Sequence, residues 1–156
     1  MGAANYGDGI VLFDGTLTAD QNGAWLSSAT CGALRRAKEL LFVLDVTTAA
    51  TDVGDILSVK IQNGLPGSSA NATASIIPND IVRFTNVLGN GGAKTYVARV
   101  FTSAAVAATA APSVALAEST VVNGPISDLI RYVADLTESG TADMSFTFSL
   151  KAYIKG

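Results

Sequence analysis

The chain contains no histidine, which removes the commonest general base and every Ser-His-Asp or Cys-His arrangement. Carboxylates are what remain for acid–base or metal chemistry. Asp8, Asp14 and Asp20 recur at regular spacing, and Asp52 with Asp55 flanks a bend. Neither set follows the D-x-[DN]-x-[DN]-G pattern that wraps a calcium ion. Asp is at home in turns, where its side chain bonds nearby backbone, so these positions need no ligand to explain them. Asp45 lies between Leu44 and Val46 in an apolar run; it reads as an outward position on a half-solvated sheet, with a subunit contact to a basic residue such as Arg35 as the sharper alternative. Cys31 is the only cysteine, so one chain can build neither an internal disulfide nor a cysteine zinc site, and it reads as a small half-buried hydrophobe. The expectation is a protein that is not an enzyme, with no catalytic, cofactor-binding or metal-binding residues.

Weaker signals point the same way. Gly89-Asn90-Gly91-Gly92 would suggest phosphate binding only if a helix followed and Gly-Lys-Ser/Thr closed it, and neither is present. The cluster reads instead as the turn of a hairpin between strands at 81–87 and 94–102. Asn71-Ala72-Thr73 matches the glycosylation sequon by chance. Tyr6, Trp25, Tyr96, Tyr132 and Tyr153 could stack on sugars, but they are scattered over different segments, so a carbohydrate-binding module for host attachment is the alternative from another class.

The elements that would position these residues are strands. In residues 39–62, Leu40, Phe42, Leu44 and Val46 point one way and Leu57, Val59 and Ile61 line one face of a second run, the period of a half-buried strand pair. The pattern returns at the end, where Met144, Phe146, Phe148, Leu150, Ala152 and Ile154 alternate with polar residues. Residues 10–18 read as a strand, 18–23 as a turn, and 25–30 as a weaker strand with Trp25 at the rim of the core. Residues 63–75 read as a loop, with Leu65-Pro66-Gly67 marking a turn. Residues 103–117 read as a long connection with a short strand at 114–116, because alanine favours helix while Pro112 and the Val and Thr content favour an extended path. Residues 121–122 read as the start of a strand; residues 128–137 fit helix or strand and, beside the alternating terminal run, read as the other arm of a hairpin. About eight strands at spacings of roughly ten residues make an all-β antiparallel sandwich, with the jelly roll among its orderings. Phe42, Leu44, Val59, Phe146 and Phe148 are expected inside.

With 156 residues the chain has the length of one ordinary domain. Residues 1–8, MGAANYGD, read as an arm without a core of its own, and 9–156 as a single domain. Charged residues are only 15%, against about 25% on average, which leaves little charge to cover the outside. The longest small apolar stretch, 104–117, is broken by Thr109, Pro112 and Ser113 and falls short of the ~20 residues of a spanning helix. No Lys or Arg occurs in the first thirty residues, so the basic region of a secretory signal is missing. A net charge of −3, with one small basic cluster at Arg35, Arg36 and Lys38, argues against a nucleic-acid surface. Neither a nucleic acid nor a membrane is expected as partner.

The succession LFVLDVTTAA, LSVKIQ, IVRFTNV and then a Gly-Pro turn before DLIRYVADLTESGTADMSFTFSLKAYIKG resembles small β-rich virion proteins of tailed bacteriophages and prophages. The resemblance covers roughly residues 38–156 and rests on order and pattern. It implies a structural role in the virion, made in the host cytoplasm: a head decoration or cement protein that forms homo-oligomers on the major capsid protein, with neck or tail as other locations. An arm that cannot bury itself gains order only on a neighbour. The candidate partner contacts are therefore Met1, Ala3, Asn5 and Tyr6 of the arm, and Leu65, Pro66 and Asn71 of the 63–75 loop.

Overall fold

The computed structural model describes residues 9–27, 34–66, 76–102, 115–140 and 144–156, the side chains of Arg35 and Pro66 excepted. Eleven strands run through them: β1 (Ile10–Leu17), β2 (Gln21–Asn22), β3 (Leu26–Ser27), β4 (Glu39–Thr48), β5 (Ile56–Pro66), β6 (Ile76–Arg83), β7 (Val87–Leu88), β8 (Lys94–Phe101), β9 (Thr120–Val121), β10 (Leu129–Thr137) and β11 (Phe146–Lys155). A single 3-10 turn at Leu34–Arg36 is the helical element among the described residues.

The strands form two antiparallel sheets. One has the order β1-β11-β4-β8; the other has β2-β10-β5-β6-β9, with β3 also on β10 and β7 also on β5. Taking β2 with β3 as one arm and setting the short β7 and β9 aside leaves eight arms. The first pairs with the eighth (β1 with β11), the second with the seventh (β2 and β3 with β10), the third with the sixth (β4 with β8), and the fourth with the fifth (β5 with β6). That nesting is one long hairpin wrapped around a core, the jelly-roll ordering of a β-sandwich.

The alternating faces of the sequence meet between the sheets. Leu40, Phe42, Leu44 and Val46 of β4 and Phe146, Phe148, Leu150 and Ala152 of β11 face Leu57, Val59 and Ile61 of β5 and Ile130, Tyr132 and Ala134 of β10, all buried. Fully burying a side chain of this size is worth about 1.5–3 kcal/mol. Phe13 reaches in from β1, 4.5 Å from the ring of Phe148 and 5.5 Å from that of Tyr132. The expected core residues Phe42, Leu44, Val59, Phe146 and Phe148 are all 0–1% exposed.

Pairing departs from expectation in an instructive way. The supposed strand pair in 39–62 consists of β4 and β5, which lie in opposite sheets; the 81–87 and 94–102 arms become β6 with β7 and β8, again in different sheets; and β10 and β11 are likewise separated. Each was read as a hairpin, and each is a crossing of the sandwich. A period of two shows which face is apolar but not which strand lies alongside, and two apolar faces can meet across the core instead of side by side. Residues 129–137 are strand, as read, not helix.

Residues 63–66, expected at the start of a loop, instead continue β5, which pairs Leu65 with Ile77 and Pro66 with Ile76, and the rest of the expected loop, 67–75, lies outside the described residues. Pro78 sits inside β6, at a position where no strand among the described residues lies on its far side, since β9 meets β6 at Val82 and Arg83; a proline is tolerated where its missing N–H faces outward. Residues 115 and 116, expected within a short strand, are irregular, and the weaker strand at 25–30 is described only as Leu26–Ser27.

At one end of the sandwich three connections are knotted together. Asp55, 1% exposed, accepts from the Ser139 N–H at 2.9 Å and the Ser139 hydroxyl at 2.8 Å. Its carbonyl accepts from Gly89 at 2.7 Å, and Asn90 donates to the carbonyl of Ala50. The aspartates of the bend are thus structural, as their turn chemistry suggested.

Candidate functional site

Among the described residues, the strands leave one side of the sandwich open. The edge strand β8 of the first sheet faces β6 and β9 at the edge of the second, and the connection between β6 and β8 does not run along the seam. Phe84 instead donates to Val59, and β7 folds back to pair Val87 and Leu88 with Leu57 and Ile56 of β5. Two adjoining hollows of about 150 and 230 Å³ result. Arg83, Ser119, Val121 and Ala98 line the first, Asn86, Leu88, Gly91 and Lys94 the second, and Thr85 and Tyr96 line both.

Polar groups of this groove are only partly satisfied. Arg83 donates through Nη1 to the carbonyl of Leu116 at 3.0 Å, but its Nε is buried without a partner, and so is Oδ1 of Asn86. They are the two buried side-chain polar atoms so left among the described residues; such atoms carry a desolvation penalty of about 1–3 kcal/mol each, which a ligand group could remove. Asn86 N–H donates to Glu118 at 2.8 Å, and the hydroxyls of Thr85 and Ser119 share a hydrogen bond of 2.6 Å. Ser119 holds φ at 60°, a left-handed conformation that a non-glycine residue adopts only when its surroundings impose it. Burial pushes the Tyr96 phenol above its ordinary value, so near neutral pH it is a hydrogen-bonding hydroxyl.

No pair of carboxylates and no histidine lines the groove, and among the described residues no cluster of His, Cys, Asp or Glu could hold a metal ion.

A second polar cluster lies on the outer face of the other sheet. Gln62 donates to Asp80 at 2.7 Å and accepts from Arg131 at 2.9 Å, Lys60 lies 3.7 Å from Asp80, and the Arg131 guanidinium stacks 4.5 Å above the ring of Trp25. Every group in this network has its partner, so it reads as a stabilising belt across β5, β6 and β10.

Of the contacts expected from sequence, Leu65 is half-buried and lies with Pro66 at the end of β5. Met1, Ala3, Asn5, Tyr6 and Asn71 lie outside the described residues, as do Asp8 and Cys31. Asp45 takes the outward position expected of it and accepts from Thr95 Oγ1 at 2.7 Å. The aromatics stay apart: Tyr132 is buried in the core, Trp25 lies under Arg131, Tyr96 lines the groove, and Tyr153 is on the outer face of the first sheet. Of the groove residues, Tyr96 enters the sequence reading as one of the scattered aromatics, whereas Arg83 stands inside a strand-like run and carries no separate motif. The available signal was a cation embedded among Ile81, Val82 and Phe84.

No family model, curated protein or solved structure matches the chain.

Proposed function

We propose that the protein is a non-enzymatic structural subunit of a tailed-bacteriophage virion, a decoration or cement protein that oligomerises and seats on the major capsid protein of the head shell. The observation that supports the reading is the strand order β1-β11-β4-β8 over β2-β10-β5-β6, a jelly roll of the kind found in viral capsid and lectin domains. Fold alone does not assign function; here the order is joined by the residue pattern of β4, β5, β10 and β11 and by a recognition groove without reactive groups. A sugar-binding role finds less support, because the aromatics share no exposed face.

Electron microscopy of purified particles, with mass determination of the free protein, tests the proposal. The expected result is an oligomer in solution and regular density on the head; density at the neck or tail would relocate the subunit. A strict monomer that is absent from every particle overturns the reading. In the same framework residues 1–8 are the anchor: their deletion should leave the melting temperature unchanged and weaken attachment, and equal attachment would reject that role.

A further inference from the structure

We propose that the open side of β8 binds an extended, acidic peptide segment of a partner chain, which adds to the sheet as a strand and sets a carboxylate beside Arg83. This goes beyond the virion reading and holds for a partner of any origin.

Among the described residues, the backbone of β8 has one side that no strand pairs. Thr102 N–H bonds the carbonyl of Lys38, and Lys38 stands opposite Thr102 in the register that pairs Glu39 with Phe101. In an antiparallel ladder, alternate residues turn both their backbone groups to the partner strand and the others turn both away. Val100, Ala98 and Tyr96 therefore bond β4, while Phe101, Arg99, Val97 and Thr95 face outward. Phe101 confirms the phase, since its N–H donates to Asn123 Oδ1 at 2.9 Å and its carbonyl accepts from Gly124 at 2.9 Å. For Arg99, Val97 and Thr95, no strand among the described residues pairs the outward side.

The two edges of this sheet are not equivalent. The ladder of β1 is broken between Val11 and Phe13, and Gly15 follows at φ 155°; a bulge of that kind twists an edge away from further pairing. The ladder of β8 with β4 runs unbroken from Lys94 to Phe101. An added strand would lie about 4.8 Å from β8 and so over the seam. One set of its side chains would meet Val97, which is 60% exposed, and the other would point into the groove beside Tyr96 and Ala98.

Charge selects the occupant. Arg83 and Lys94 mark the two ends of the groove, and β8 itself carries Lys94 and Arg99 and no acid. Arg99 is drawn to Glu39 at 3.5 Å on the outer face. Glu118, exposed, has an oxygen on Asn86 N–H. The unsatisfied Arg83 Nε donor calls for an anionic oxygen, and the unsatisfied Asn86 Oδ1 for a donor such as a peptide N–H.

Amide hydrogen exchange and two-dimensional NMR of the intact protein test this, with a blocked Thr-Val-Asp-Val-Thr-Val-Thr peptide at millimolar concentration as probe. In the free protein the amides of Thr95, Val97 and Arg99 should exchange freely while those of Tyr96, Ala98 and Val100 are protected. The peptide should shift and protect the first three, and an Asn-for-Asp peptide should bind about tenfold more weakly, the worth of one charge-assisted bond. Val97→Pro removes an outward N–H at a position where an edge strand tolerates proline, and should abolish binding with the fold retained. Should that variant fail to fold, Arg83→Gln serves instead and should erase the preference for Asp over Asn. Protection of all six amides in the free monomer, or peptide-induced shifts elsewhere or nowhere, overturns the proposal. Self-association of the free protein that Val97→Pro abolishes overturns it too, by giving the edge to a second copy.

Discussion

Replacing Gly89 by alanine tests whether the knot at Asp55 holds the end of the sandwich. A Cβ at this position would lie 2.0 Å from the carbonyl oxygen of Asp52, whereas real Cβ contacts essentially never fall below 3.0 Å. The obstacle is backbone and cannot swing aside, so the 50–55 bend and the turn after β7 must part by about 1 Å or more. Parting them strains or breaks the bonds from Gly89 to Asp55 and from Asn90 to Ala50, each worth about 1 kcal/mol, on top of about 1–3 kcal/mol for overpacking. The expected loss is about 3 kcal/mol, a fall of about 6–12 °C in melting temperature for a chain of this length. Gly92→Asn is the matched control. Gly92 has nothing within 4 Å of its would-be Cβ and a φ of 71°, a conformation asparagine tolerates, so less than about 1 kcal/mol is at stake. Thermal melts followed by circular dichroism decide it. A Gly89→Ala protein that melts within about 2 °C of the unaltered one would refute the reasoning.

Two further outcomes are expected. Phe148→Ala removes a ring that is 1% exposed and stacked 4.5 Å from Phe13, and should cost about 3–5 kcal/mol in urea unfolding; a loss under about 1 kcal/mol would mean that the two sheets do not close on this ring. Alkali should destabilise the protein, because burial raises the phenols of Tyr96 and Tyr132 above 10.0 in the folded state. The unfolded chain then gives up those protons first, so stability is intact below pH 10 and falls as pH rises through the raised folded values. Tyr132→Phe should move the alkaline unfolding midpoint upward, and an unchanged midpoint would remove Tyr132 from the account.

The two sheet faces were legible in the sequence because burial imposes a strict period: Leu40 to Val46 and Phe146 to Ala152 could each take only one face of a strand. Partners were not legible. β4 and β5, β7 and β8, and β10 and β11 are neighbours in the chain and belong to different sheets, and alternation is the same whether an apolar face meets its neighbour beside it or across a core. The fourth arm pairs with the fifth, β5 with β6, and this consecutive pair hides behind Pro66 and Pro78, which suggest a loop, although Pro78 stands where no described strand pairs the outward side of β6. The groove escaped for a related reason. Arg83, Asn86, Tyr96 and Ser119 come from three stretches of chain that only the wrapped topology brings together, and their significance rests on unmade hydrogen bonds, which no spacing records.

The wrapped hairpin also explains why the groove lies on one side and not the other. A sandwich of this order has two sides where the edge of one sheet faces the edge of the other, β1 against β2 and β8 against β6. On the first, the chain crosses from Leu17 to Gln21 in a tight turn, and Asp20 accepts from Leu136 N–H at 2.7 Å, so the crossing itself ties the sheets together. On the second, the chain from Arg83 to Lys94 has room to send β7 back to β5, and among the described residues the seam is bridged where Asn123 and Gly124, after β9, hold Phe101. A flat edge left open in this way invites pairing with whatever strand approaches. Two copies meeting β8 to β8 antiparallel about Val97 would set Arg99 opposite Thr95 and Lys94 opposite Val100, so neither cation would find an acid to pair with. An acidic strand would supply the opposite charge that a second copy lacks along β8, so the cations of this edge favour a partner of other sequence.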